Sequence, residues 1–150
     1  MKKTLIIFIL LIASFLSCEK DDICIDATTP NLIILFYNDT ARTALKKIPY
    51  LTVWSENKDS IYKRMSLDSI SIPLDLTKDS TVYKFSDSII VDKINFSYTR
   101  KDVFVSRSCG YKTIFENLTI GSDSINWIKE IKIINPTIDN ETAAHIAIYH

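Results

Sequence analysis

Apolar and polar residues alternate with a period of two along most of the chain. Ile70, Ile72, Leu74 and Leu76 interleave with Ser69, Ser71, Pro73 and Asp75. Ile94, Phe96 and Tyr98 interleave with Asn95, Ser97 and Thr99, and Ala144, Ile146 and Ile148 with His145, Ala147 and Tyr149. Successive side chains of a strand point to opposite faces, so this spacing predicts half-buried β-strands. Pro73, which has no N–H to donate, places the first of them at a sheet edge. Leu32 to Tyr37 is apolar on both faces and predicts a central strand. Further strands are predicted at Leu51–Trp54, Thr81–Phe85, Val103–Arg107, Lys112–Leu118 and Ile128–Ile134. Turn residues separate them at Asn38-Asp39, Asn57-Lys58-Asp59, Lys78-Asp79, Gly121-Ser122-Asp123 and Asn135-Pro136. Thr40 to Lys47 is the one stretch suited to a helical turn, with Asp39 or Thr40 as its cap.

About nine short strands at regular spacing predict an all-β fold. The expected architecture is an antiparallel β-sandwich, immunoglobulin-like in general shape, with a small closed β-barrel as the alternative. The chain has two glycines, so its turns must rest on Asn, Asp and Ser. Tight hairpins that need two consecutive positive φ angles should therefore be few.

The front of the chain breaks the pattern. Lys2 and Lys3 precede an apolar run from Leu5 to Leu16 that ends at Ser17-Cys18. A positive start, a short apolar core and a small residue before the cut describe an export signal. The run is short for a membrane span, which takes roughly 20 apolar residues. Phe15-Leu16-Ser17-Cys18 resembles a bacterial lipobox, with Phe15 a departure from the usual Leu. That resemblance implies a lipoprotein signal peptide over residues 1–17 and a diacylglycerol thioether on Cys18. Acylation of the new amine would add further chains, and two or more chains anchor stably where one does not. An ordinary secretory signal with Cys18 a spectator is the plainer reading. Residues 18–23 then form an acidic tether, and residues 24–150 a single β-sandwich domain. Lys20-Asp21-Asp22 resembles the export signal that sends lipoproteins of Bacteroidota to the outer face of the outer membrane. It implies surface display, the alternative being a periplasm-facing anchor or a plain polar spacer.

Composition adds the compartment's consequences. Losing Lys2 and Lys3 with the signal takes the formal charge from zero to about two units negative, so no basic excess points to nucleic acid. Of three cysteines, a lipidated Cys18 leaves Cys24 and Cys109, an even pair in an oxidising compartment, and predicts a disulfide between them. A metal site or a nucleophilic thiol is the competing reading, but neither cysteine has a His neighbour. Cys24 lies in an Ile-Cys-Ile context that reads as packing.

Three stretches carry a resemblance to a known family. Cys18-Glu-Lys-Asp-Asp-Ile-Cys24, Tyr98-Thr-Arg-Lys-Asp-Val-Phe-Val-Ser-Arg-Ser-Cys109-Gly-Tyr-Lys-Thr-Ile-Phe115 and Asn140-Glu-Thr-Ala-Ala-His145 resemble an uncharacterised lipoprotein family of Bacteroidota. The resemblance covers essentially the whole mature chain. It implies lipidation and compartment and carries no activity.

Candidate chemistry is sparse. His145 and His150 are the two histidines; five residues apart on a strand, they face opposite sides and do not jointly bind a metal. Alternation puts His145 on the outer face beside Tyr149. Glu141 with His145 has an E-x-x-x-H spacing that aligns on a helix, not on a strand. No phosphate loop, nucleophile elbow or metal-binding cysteine cluster is present, and no cofactor is expected. Arg100 to Arg107 is the best candidate recognition segment, with Arg100, Arg107 and Tyr111 as its residues. Alternation through Val103 and Val105 places Arg107 on the apolar side, where it would need a carboxylate or carbonyls to offset desolvation. Tyr98, Phe104 and Tyr111 have the makings of a glycan-stacking platform, although core packing explains them as well.

Asp followed by Ser or Thr and then an aliphatic residue, Ala or Thr recurs at Asp39-Thr40-Ala41, Asp59-Ser60-Ile61, Asp68-Ser69-Ile70, Asp79-Ser80-Thr81, Asp87-Ser88-Ile89 and Asp123-Ser124-Ile125. Composition alone would give roughly one or two. The pattern resembles an O-glycosylation sequon of exported Bacteroidota proteins and implies Thr40, Ser60, Ser69, Ser80, Ser88 and Ser124 as acceptors. Asp-Ser turn chemistry before a strand explains the same triplets. The expected function is a non-enzymatic, lipid-anchored interaction or accessory module binding a protein or glycan. The alternatives are a hydrolase-type enzyme around Glu141, His145 and Arg107, and a subunit of an outer-membrane assembly.

Overall fold

The computed structural model describes residues 23–25, 28–56 and 58–150, with the side chains of residues 122–124 excepted. The signal peptide expected over residues 1–17, Cys18 and the acidic stretch up to Asp22 lie outside the described residues. Nine strands and no helix form within them: β1 Leu32–Tyr37, β2 Ile48–Ser55, β3 Ser60–Leu67, β4 Ser69–Ile72, β5 Ser80–Ser86, β6 Val91–Ser106, β7 Gly110–Ser124, β8 Glu130–Ile133 and β9 Ile146–Tyr149. They build two sheets, one ordered β4-β1-β9-β8 and the other β3-β2-β5-β6-β7. All pairings are antiparallel except β1 with β9. The protein is a β-sandwich, and the sheets do not close into the alternative barrel.

Alternation supplies the core. In the first sheet, register sets Ile70, Ile34, Ile146 and Ile133 in one row, and Phe36, Ile148 and Ile131 in the next. The second sheet answers with Leu51 and Val53 from β2, Tyr83 and Phe85 from β5, Ile94, Phe96 and Tyr98 from β6, and Phe115 and Leu118 from β7. Burying each such side chain stabilises by roughly 1.5–3 kcal/mol. β1 is central, as expected, but only Leu32, Ile34 and Phe36 are fully buried; Ile33, Leu35 and Tyr37 on its other face are half-buried.

Four expectations are corrected. Thr40–Lys47 forms turns and a bridge from Leu45 to Tyr37, not a helical turn. Alternation missed β3 altogether, because its exposed sequence Ser-Ile-Tyr-Lys-Arg-Met-Ser-Leu carries little apolar periodicity. The strand expected from Ser69 to Leu76 stops at Ile72, just before Pro73, and Leu76 is exposed. The separate strands expected at Ile94–Thr99 and Val103–Arg107 are one sixteen-residue strand, β6. Positive φ occurs singly, at Tyr50, Arg64, Ser88, Asn117 and Gly110, consistent with the scarcity of tight hairpins. Gly110 closes the three-residue turn Arg107–Cys109 between β6 and β7, where the left-handed conformation is open to glycine.

Of the four sheet edges, those at β4 and β7 are covered. β4 is an edge strand whose outward groups meet tyrosine hydroxyls from the other sheet. Tyr62 accepts from the Ser71 N–H at 3.0 Å and donates to the Ser71 carbonyl at 2.9 Å. Tyr83 donates to the Pro73 carbonyl at 2.7 Å and Tyr98 to the Asp75 carbonyl at 2.9 Å. On β7, the N–H groups of Thr113, Phe115 and Leu118 donate to the Thr29 hydroxyl and to the carbonyls of Ile138 and Pro136. Covered edges do not offer a template for strand addition.

Candidate functional site

Glu141 and His145 do come together, but at the entrance to β1. The Glu141 carboxylate accepts from the Asn31 N–H at 2.8 Å, and His145 Nδ1 accepts from the Ile33 N–H at 3.0 Å. His145 is 1% exposed, which corrects its expected place on the outer face. It immediately precedes β9, and its own N–H donates to the Ile33 carbonyl at 2.9 Å, so both its backbone and its ring serve that junction. With Nδ1 accepting, the neutral ring carries its proton on Nε2. Burial pulls its pKa below the ordinary histidine value, opposed by a bond to the Asn140 carbonyl and by Asp139 and Glu141.

The recognition segment lies where β6 and β7 run past the sandwich. From Thr99 to the turn, β6 loses the strict alternation of buried residues it has from Asp92 to Tyr98. Arg107 sits in the turn and is exposed, not on the apolar side as alternation implied. The reason is that the strand ends at Ser106, whose hydroxyl accepts from the Cys109 N–H at 3.1 Å. Arg100 is held by Asp79 at 2.8 Å and by the Leu76 carbonyl at 2.7 Å. Tyr98 is buried in the core, which removes it from any stacking platform. Phe104 and Tyr111 are cross-strand partners with ring centroids 5.4 Å apart and are 55% and 71% exposed. Cys24 is bonded to Cys109 beside them, with Cα atoms 4.9 Å apart. Its flanking Ile23 and Ile25 are 79% and 90% exposed, so the Ile-Cys-Ile stretch is not packing.

A third cluster, at the other end, escaped the sequence. Tyr37 and Tyr149 are register partners on β1 and β9 and stack with centroids 5.7 Å apart. The Arg42 guanidinium lies 4.7 Å over the Tyr149 ring and is ion-paired to Asp39 at 3.0 Å and to Glu130. With Thr43, Lys132, Ile134 and Ala147 they line an open cleft of about 500 Å³. No spacing rule joins Arg42 to Tyr149; only the β1–β9 pairing does. Next to Tyr149, His150 meets the Trp127 ring edge-on at 5.8 Å, and Trp127 is bonded through its N–H to Asp92 at the start of β6. The cleft and the hairpin tip therefore stand at opposite ends of β6, about 45 Å apart along the strand.

A family of unknown function, DUF6452, matches residues 50–150, two thirds of the chain. The chain belongs to that family. The matched span takes in the hairpin, Cys109, Glu141, His145 and Tyr149, and leaves out Cys24, β1 and Arg42. No curated protein and no solved structure matches the chain.

Among the described residues, no group of three His, Cys, Asp or Glu side chains is placed to hold a metal ion. No helix there is long and apolar enough to cross a membrane. Five of the six Asp-Ser/Thr triplets fall at turns and strand entries, Ser60, Ser69 and Ser80 opening β3, β4 and β5, and the sixth falls where β7 ends at Ser124. Thr40 and Ser88 lie in exposed turns, and the side chain of Ser124 is outside the described set.

Proposed function

We propose that this DUF6452 protein is a lipid-anchored β-sandwich of the outer membrane, displayed at the cell surface, that works by binding a protein partner rather than by catalysis. The observation that carries this reading is the Tyr37–Arg42–Tyr149 cleft. Tyrosine and arginine dominate the residues that carry binding energy at protein interfaces. Arg42 is already oriented by two carboxylates and a ring, so little side-chain entropy remains to be lost on docking. Its position over Tyr149 occupies the ring face that a sugar would stack on, which favours protein over glycan. A hydrolase would need Glu141, His145 and Arg107 to converge on one point. Glu141 and His145 are engaged by backbone amides of β1, and Arg107 is in the β6–β7 turn. The lipobox-like Phe15-Leu16-Ser17-Cys18 and the following Lys20-Asp21-Asp22 support the anchor and the address.

The test is a photoreactive residue at Thr43 of the full chain in native cells. A discrete protein adduct that disappears when Arg42→Ala and Tyr149→Ala are introduced supports the reading. An adduct pattern indifferent to those changes sinks it, and saturable binding of the wild type on a glycan array would make the partner a saccharide instead.

A further inference from the structure

We propose that the tip of the β6–β7 hairpin is a second membrane contact, seating Phe104, Tyr111, Ile23 and Ile25 in the headgroup boundary of the bilayer that holds the lipid anchor. The inference rests on the lipidation of Cys18 proposed above. Six residue steps separate Cys18 from Cys24, a reach of at most about 20 Å. The disulfide then places Cys109 4.9 Å from Cys24, measured between Cα atoms. The hairpin tip is thus kept within about 25 Å of the acylated residue. A second tie holds the leash along the hairpin, because the Thr113 N–H donates to the Thr29 hydroxyl at 3.0 Å.

What the leash brings to the membrane suits an interface. Four large apolar or aromatic side chains, Ile23, Ile25, Phe104 and Tyr111, are mostly exposed there. Tyr111 lines a shallow hollow with Cys24 and Cys109, so the aromatic pair lies beside the segment that carries Ile23 and Ile25. Aromatic rings with a polar tip favour the headgroup level, and isoleucines favour the acyl boundary beneath it. Arg107, exposed in the turn, is placed to meet headgroup phosphates. The same contact would orient the molecule with the Tyr37–Arg42–Tyr149 cleft on the side of the sandwich, toward the end far from the bilayer.

The experiment uses the full chain in cells fed a labelled fatty acid, with a photoreactive benzoylphenylalanine replacing Phe104, Tyr111 or Ile89. Ile89 is 87% exposed but lies in the turn before β6, at the far end of that strand. The expected result is incorporation of the fatty acid in all three, a phospholipid adduct at positions 104 and 111, and none at 89. Fatty-acid incorporation without adducts at 104 and 111, or with equal adducts at 89, overturns the contact and leaves the anchor standing. Absence of incorporation overturns the anchor and this inference together.

Discussion

Asp92 is fully buried, and its carboxylate accepts four hydrogen bonds: from the Asn126 N–H and side-chain amide at 2.8 Å each, from the Trp127 N–H at 3.1 Å and from the Ile128 N–H at 2.9 Å. Three backbone donors of the β7–β8 connection depend on one side chain, and those of Trp127 and Ile128 are buried. Asp92→Ala is expected to cost on the order of 3 kcal/mol in urea unfolding, since the Trp127 and Ile128 donors lose their partner in a dry site. Asp92→Asn should cost less, as one carbonyl oxygen remains. His145 plays the matching part at the other end of the sandwich. Both His145 and His150 are held below the ordinary value of 6.5, chiefly by burial, which disfavours the charged ring. Above that value folded and unfolded chains are both neutral and stability is complete. As pH falls below it, the unfolded chain binds protons that the fold resists, and stability declines toward the folded pKa. His145→Asn, whose side-chain oxygen can stand where Nδ1 accepts, should keep most of the stability and flatten the acid decline. His145→Ala should lose about 1–3 kcal/mol by leaving the Ile33 N–H unpaired. None of this is legible in sequence: Asp92 reads as a solvated residue between strands, and His145 falls on the outward phase of an alternation that starts one residue later.

Among the elements, the edge strand β4 was legible in part. Pro73 announces an edge, and β4 ends just before it. What covers that edge was not legible, because the three hydroxyls come from β3, β5 and β6, and β3 was not recognised as a strand. Tyr62→Phe is expected to cost about 1–2 kcal/mol, since both Ser71 backbone groups lose their partner, and Tyr83→Phe about 1 kcal/mol. Burial pushes the Tyr83 hydroxyl up to about 12, with Tyr98 and Asp75 adding to the rise. A raised pKa means that this contribution is complete below the unfolded value near 10 and is lost as pH rises through the folded one. An alkaline unfolding series should therefore show a decline in wild type that is reduced in Tyr83→Phe. The long hairpin was misread for a related reason. Alternation continues through Val103 and Val105, but no second sheet lies over them, so periodicity there reports a strand without reporting a core.

For the whole molecule, the disulfide ties the segment before β1 to the far tip of the second sheet. It closes a separation of 85 residues, and its loss should cost up to about 4–5 kcal/mol in the chain-entropy picture. Thermal unfolding with and without reductant measures it: a lowered midpoint is expected in reductant, and an unchanged midpoint in Cys24→Ser treated the same way. The sequence by itself determined the class, most of the inward residues and this pairing, because alternation and cysteine parity are local or countable. It determined most of the strands on the same ground. The tertiary structure alone decided which strands neighbour which, through the parallel β1–β9 pairing and the four places at which the chain passes from one sheet to the other, the shortest of them the single residue Asp68 between β3 and β4. Those long-range neighbours set His145 against β1, Arg42 over Tyr149 and the hairpin tip beside Cys24. Each of these depends on residues far apart in the chain meeting in space, and a period of two carries no information about partners.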